Sequence, residues 1–116
     1  MNTQPKRVMV SITTPKEFST FIQEHKYVVV KAEADWCNPC KRIKPLFMQK
    51  LNELPLSVAL IVIDISKSPR LKNYLKIGSI PYMMNIIDGA PMDVLNTSNY
   101  NAIIGFFAKT MKRVTN

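Results

Sequence analysis

Two cysteines, Cys37 and Cys40, are the only thiols in the chain, and they stand two residues apart in the stretch ADWCNPCKRIKP. Such a pair is open to metal ligation, to a structural cross-link or to thiol–disulfide exchange. Zinc prefers four nitrogen or sulfur ligands. The chain has one histidine, His25, at the end of a different helix, so a closed site would need two chains pooling their thiolates. A disulfide across so short a loop restrains little chain entropy, which argues against a purely structural staple. Exchange accounts for the placement. Cys37 ends the loop after a strand and Cys40 lies in the first turn of the next helix, where free N–H groups and the helix dipole stabilise a thiolate. Asn38 and Pro39 between them suit a helix start. Cys37 is expected to be the more exposed and to attack a substrate disulfide. Cys40 then attacks the mixed disulfide and releases the substrate. Upstream, within a run that otherwise reads as a buried strand, stands Lys31, and two residues on, Glu33.

The elements that must position these groups alternate along the chain. Residues 7–12 read as a strand with period-2 alternation. Thr14, Pro15 and Glu17 form a capping box that opens a helix to about His25, with Phe18, Phe21 and Ile22 on one face. Residues 27–34 are apolar at both parities in their first half, as a strand covered on both faces requires. A helix is expected over 38–52, with Ile43, Leu46, Phe47 and Leu51 as its stripe and Pro45 as a kink. A buried strand at 57–64 follows. Ser68 caps a short helix that Gly78 closes, and a strand spans 82–87. Asp88–Gly89 signals a hairpin into a strand at 91–95, and a helix at 98–113 buries Ile103, Ile104, Phe107 and Met111. The order β-α-β-α-β-α-β-β-α implies an α/β fold: a mixed five-stranded sheet flanked by four helices, its first three strands parallel and the final hairpin adding antiparallel edge strands.

The 116 residues suit one compact domain, 1–116, with 1–6 a short N-terminal tail. A chain of this size buries roughly 65% of its unfolded surface, enough for a core. The net charge of +8 comes from lysines and arginines spread along the chain. No basic stripe is interleaved with aromatics, so nucleic acid is not expected as a partner. The longest apolar run, VALIVI, is too short to span a bilayer. The first residues lack a signal peptide's apolar core, so the default compartment is reducing and cytoplasmic. No bound cofactor or metal is expected.

The segment WCNPCK followed by Pro45 resembles the active site of the thioredoxin family, with Trp36, Cys37, Pro39, Cys40, Lys41 and Pro45 at the family's positions. The stretch SIPYMMNIIDG resembles its second signature. The resemblance implies a thioredoxin fold, a redox-active Cys37–Cys40 disulfide and a cis Ile80–Pro81 bond packed beside the cysteines. In the family that proline keeps metal off the dithiol, and the backbone before it pairs with the bound peptide. It further implies a monomeric protein-disulfide oxidoreductase, its electrons drawn from NADPH through a separate reductase. Trp36 is read as the floor of a substrate groove, with a plain core aromatic as the alternative. Without the cysteine motif, Pro81 would read only as the start of an edge strand. Lys41 reads as a solvated helix residue, His25 as a helix-end residue, and Met83 and Met84 as core filling.

The sequence also departs from the family. Lys31 occupies the place of the buried aspartate thought to relay a proton to the second cysteine. Leu60 stands where the family often has a lysine, Glu33 where an aromatic is usual, and Asn85 where an apolar residue is expected. A glycine is missing from DVLNTSNY. A buried ammonium must pair or lose its proton, and Lys31 and Glu33 share a strand face. They form either a partly solvated ion pair without catalytic meaning or a pair that touches the active site. In the second case a charged Lys31 favours the dithiol form and makes the protein more oxidising than typical thioredoxin. Two alternatives to a disulfide reductase stand: a thiol oxidase relay component that forms disulfides, and a binding module that uses the fold for partner contact.

Overall fold

The computed structural model describes residues 5–115. Most of the tail expected over residues 1–6 lies outside them. Five strands form one sheet in the order β1-β3-β2-β4-β5. They are β1 (Met9–Ser11), β2 (Tyr27–Glu33), β3 (Val58–Asp64), β4 (Tyr82–Ile87) and β5 (Ala90–Leu95). The helices are α1 (Pro15–Glu24), α2 (Asn38–Glu53), α3 (Pro69–Tyr74) and α4 (Tyr100–Thr115). β1 and β2 both run parallel to β3, while β4 runs antiparallel to β2 and β5 to β4. Of the final hairpin, only β5 is an edge, because β4 is paired on both sides.

Side-chain alternation on the central strand divides the core. Val28, Val30 and Ala32 pack with Phe18 of α1 and Leu71 of α3. Val29 points the other way, into Ile43, Phe47 and Leu51 of α2 and Ile103 and Phe107 of α4. Ile43, Phe47 and Leu51 are fully buried, each burial contributing about 1.5–3 kcal/mol. Lys31 has the parity of Val29, so its stem enters this second layer.

Several element ends differ from expectation for local reasons. β1 is shorter than 7–12, although Val8 and Ile12 at its flanks still bond to Leu60 and Val62 of β3. Arg7 serves another purpose: its guanidinium donates to the carbonyls of Leu51, Leu54, Pro55 and Val58 at 2.8–3.0 Å, closing the end of α2 onto the start of β3. At α1, the Thr14 hydroxyl accepts from the Glu17 amide and donates to its carboxylate, so the box closes through side chains. His25 Nδ1 lies 3.0 Å from the Phe21 carbonyl, and its ring stacks on Phe21. Ser68 precedes α3 but makes no capping bond. That helix ends before Gly78 because Lys76 turns into the left-handed region (φ 57°), with Lys76 N–H bonded to Asn73 and Ile77 N–H to Lys72. Asp88 and Gly89 both have positive φ, as a tight hairpin turn needs. Asn99 caps α4 through Ala102 N–H, which starts the helix at Tyr100 rather than at 98. The buried stripe of α4 is Ile103, Phe106, Phe107 and Thr110, and Ile104 is exposed.

Candidate active site

β2 and β3 run parallel and end on the same side of the sheet, and the helices that follow them, α2 and α3, pack on opposite faces. In open α/β sheets such a switch point opens a crevice beyond the strand ends. The β2–α2 loop carries Cys37 and Cys40 there. Cys37 is the N-cap of α2, held by its N–H on the Ala34 carbonyl (3.0 Å), and its own carbonyl accepts from Lys41 N–H. Its sulfur accepts from Cys40 N–H at 3.2 Å, a free donor of the first helical turn. The two cysteines are joined as a disulfide.

The expectation that Cys37 is the more exposed does not hold in this oxidised form, in which the residues are 4% and 3% accessible. The two cysteines cluster with Ala34, and Ile65 and Ile80 pack against that cluster. Position separates the two cysteines where exposure does not: Cys37 precedes the helix and Cys40 lies within it. Asn38 is exposed and Pro39 half-buried at the helix start.

Trp36 projects from the loop, 66% exposed, and its indole N–H donates to Ser66 Oγ at 2.9 Å on the loop after β3. The Ile80–Pro81 bond is cis, Pro81 is buried, and Ile80 packs on the cysteine cluster. Tyr82 follows half-buried, and burial pushes its phenol up from the ordinary value.

Lys31 and Glu33 do come together: Nζ lies 3.0 Å from the carboxylate, with Lys31 buried and Glu33 partly open to solvent. The ammonium also lies 4.8 Å from the centroid of the Phe47 ring, a cation–π contact. Its observed partners are thus Glu33 and Phe47, both outside the cysteine cluster. Leu60 contributes only apolar packing to the same layer.

Three further arrangements escaped the sequence reading. The Asn96 side chain bonds to the segment around the cis peptide. Arg42 reaches Ser98, and Tyr100 reaches the Arg42 carbonyl, tying α2 to the start of α4. Away from the disulfide, Asn85 is fully buried. Its amide donates to Asp93 and Thr110 and accepts from Asp93 N–H, while Arg113 holds Asp93 with two bonds. The Arg113 guanidinium, followed by the Asn85 bond, keeps the Asp93 carboxyl below the usual carboxylate range. These partners lie 8 to 25 residues apart, beyond any local pattern.

Comparison with known proteins agrees with this geometry. The thioredoxin family model matches residues 9–109. Thioredoxin 1 of Plasmodium falciparum is 28% identical over 92 residues, covering 79% of this chain and 88% of that protein. The thioredoxin of Chlamydia trachomatis serovar D is 31% identical over 85 residues, covering 73% and 81%. A solved structure of Plasmodium falciparum thioredoxin superposes with a TM-score of 0.77 at 26% identity, over 85% of this chain and 96% of that one. Thioredoxins work with their own cysteine pair and need no cofactor. This chain belongs to the thioredoxin family, and its Cys37–Cys40 pair makes it a thiol–disulfide oxidoreductase.

Proposed function

We propose that the protein reduces protein disulfides, with Cys37 as nucleophile and Cys40 as resolving thiol. The observation that carries this reading is the Cys40 N–H aimed at Cys37 Sγ from the first turn of α2. The same donor and the helix dipole stabilise Cys37 as a thiolate when the pair is reduced. That thiolate attacks one sulfur of a substrate disulfide, forming a Cys37–substrate disulfide and expelling the first substrate thiolate. Cys40 then attacks Cys37 Sγ and expels the second. Two electrons pass to the substrate, its sulfurs take up two protons, and the Cys37–Cys40 disulfide remains. A separate NADPH-dependent reductase restores the dithiol. Trp36 and the Ile80–Pro81 segment flank the disulfide and supply the surface on which substrate lies. A reducing, cytoplasmic compartment suits this direction of flow.

Reduction of insulin by dithiothreitol tests the reading. Wild type accelerates insulin precipitation, and Cys37→Ser and Cys40→Ser each abolish the acceleration. Full activity in either variant would refute the two-cysteine mechanism. In the alternative, oxidase direction, the disulfide form would oxidise a reduced peptide dithiol faster than the dithiol form reduces insulin. A charged Lys31 is the feature that would favour that direction, by stabilising a thiolate, and its Glu33 partner at 3.0 Å offsets part of that charge.

A further inference from the structure

Resting on the reading of this site as one that receives a protein disulfide, we propose that Asn96 is a positioning residue that fixes the Ser79–Pro81 segment against the disulfide for an incoming polypeptide. Its amide nitrogen donates to the Ser79 carbonyl at 3.0 Å and to the Pro81 carbonyl at 2.8 Å. Its amide oxygen accepts from the Ser79 hydroxyl at 2.7 Å. One side chain thus uses both amide N–H groups and its carbonyl on the two residues that flank Ile80. Ile80 is the residue of this segment that packs on Ala34, Cys37 and Cys40. Among the described residues, Ile80 N–H and C=O make no hydrogen bond, which leaves both for an extended chain lying beside the disulfide.

A second observation joins the same loop to the opposite wall. Two residues past Asn96, Ser98 accepts from Arg42 of α2, and Tyr100 O–H donates to the Arg42 carbonyl. The stretch from Asn96 to Tyr100 therefore spans from the cis-proline segment to α2, the helix that Cys37 caps. Holding the two walls in register keeps the Ile80 backbone where an extended chain can pair with it, so less ordering has to be done when a polypeptide binds.

The test compares wild type, Asn96→Val and Ser79→Ala. Asn96→Val removes all three bonds at similar volume, and Ser79→Ala removes only the hydroxyl bond. Three readouts are taken: kcat and KM for insulin with dithiothreitol as electron donor, the rate at which the reduced protein reacts with the small aromatic disulfide 5,5′-dithiobis(2-nitrobenzoate), and the potential against glutathione. Asn96→Val is expected to raise KM for insulin about tenfold, with kcat little changed. The small-disulfide rate and the potential stay at wild-type values, and Ser79→Ala gives a smaller rise in KM. Unchanged KM in Asn96→Val overturns the proposal while the protein-disulfide reading stands. A loss of kcat for insulin together with a slower small-disulfide reaction and a shifted potential marks a general structural loss and also overturns it. If wild type reacts with the small disulfide but does not reduce insulin, the protein-disulfide reading fails and the proposal fails with it.

Discussion

Lys31 is the residue at which this chain parts most sharply from its family. Period-2 alternation sets it on the α2 side of β2 and makes its pairing with Glu33 readable in advance. Its second partner, the Phe47 ring, is not readable that way, because Phe47 comes from another element. Glu33 at 3.0 Å offsets part of the ammonium's field, so the influence on the dithiol is modest. The expected result is a potential less negative than the about −270 mV of typical thioredoxin, shifted on the order of 30 mV more negative by Lys31→Asp. Equilibration of both proteins against glutathione reads this. A wild-type value at the ordinary thioredoxin level, unmoved by the substitution, contradicts it. The two cysteines and the cis-proline motif were legible because each depends on neighbours in the chain. Asn96 was not, since its meaning comes from carbonyls 15 and 17 residues away.

At the scale of elements, the buried Asn85 shows how a polar residue sits inside a sheet whose neighbours are apolar. It is satisfied from β5 by Asp93 and from α4 by Thr110, and Arg113 completes the network. These bonds fasten α4 across the last two strands. Asn85→Ala leaves Asp93 and Thr110 short of partners and should cost about 1–3 kcal/mol at pH 7 in urea unfolding. Loss of less than about 0.5 kcal/mol would show the network to be dispensable. The network also predicts a pH dependence. The Asp93 carboxyl titrates lower in the folded protein than its ordinary value, so the unfolded chain binds its proton first. Its stabilisation is present above about pH 4 and is lost as pH falls through the folded value. The stability gap between wild type and Asp93→Asn should therefore narrow as pH drops from about 5 toward 3, and thermal melts across that range read it. A constant gap contradicts the assignment. Element order and the core face of α2 were legible from hydrophobic period. The rotation of α4 was not, because Thr110 belongs to its buried stripe through a polar network rather than through hydrophobicity.

For the molecule as a whole, the parallel core of β1, β3 and β2 and the antiparallel β4 bring two distant segments to one end of the sheet. One carries Cys37 and Cys40, and the other carries Ile80 and Pro81. Strand directions were legible from helix-linked strands and a hairpin signal, but the pairing of β4 with β2, which makes these segments meet, was not, because no local pattern sets strand order. The ties that hold the meeting, Trp36 to Ser66 and Asn96 to Ser79 and Pro81, depend on loop paths that no periodicity describes. The central claim is that Cys37 attacks and Cys40 resolves. Its most direct measurement is mass spectrometry of Cys40→Ser and Cys37→Ser after each is reduced and mixed with a protein disulfide. The account predicts a stable mixed disulfide at Cys37 in Cys40→Ser and none in Cys37→Ser. A mixed disulfide at Cys40 in Cys37→Ser, with none at Cys37 in the other variant, would contradict it.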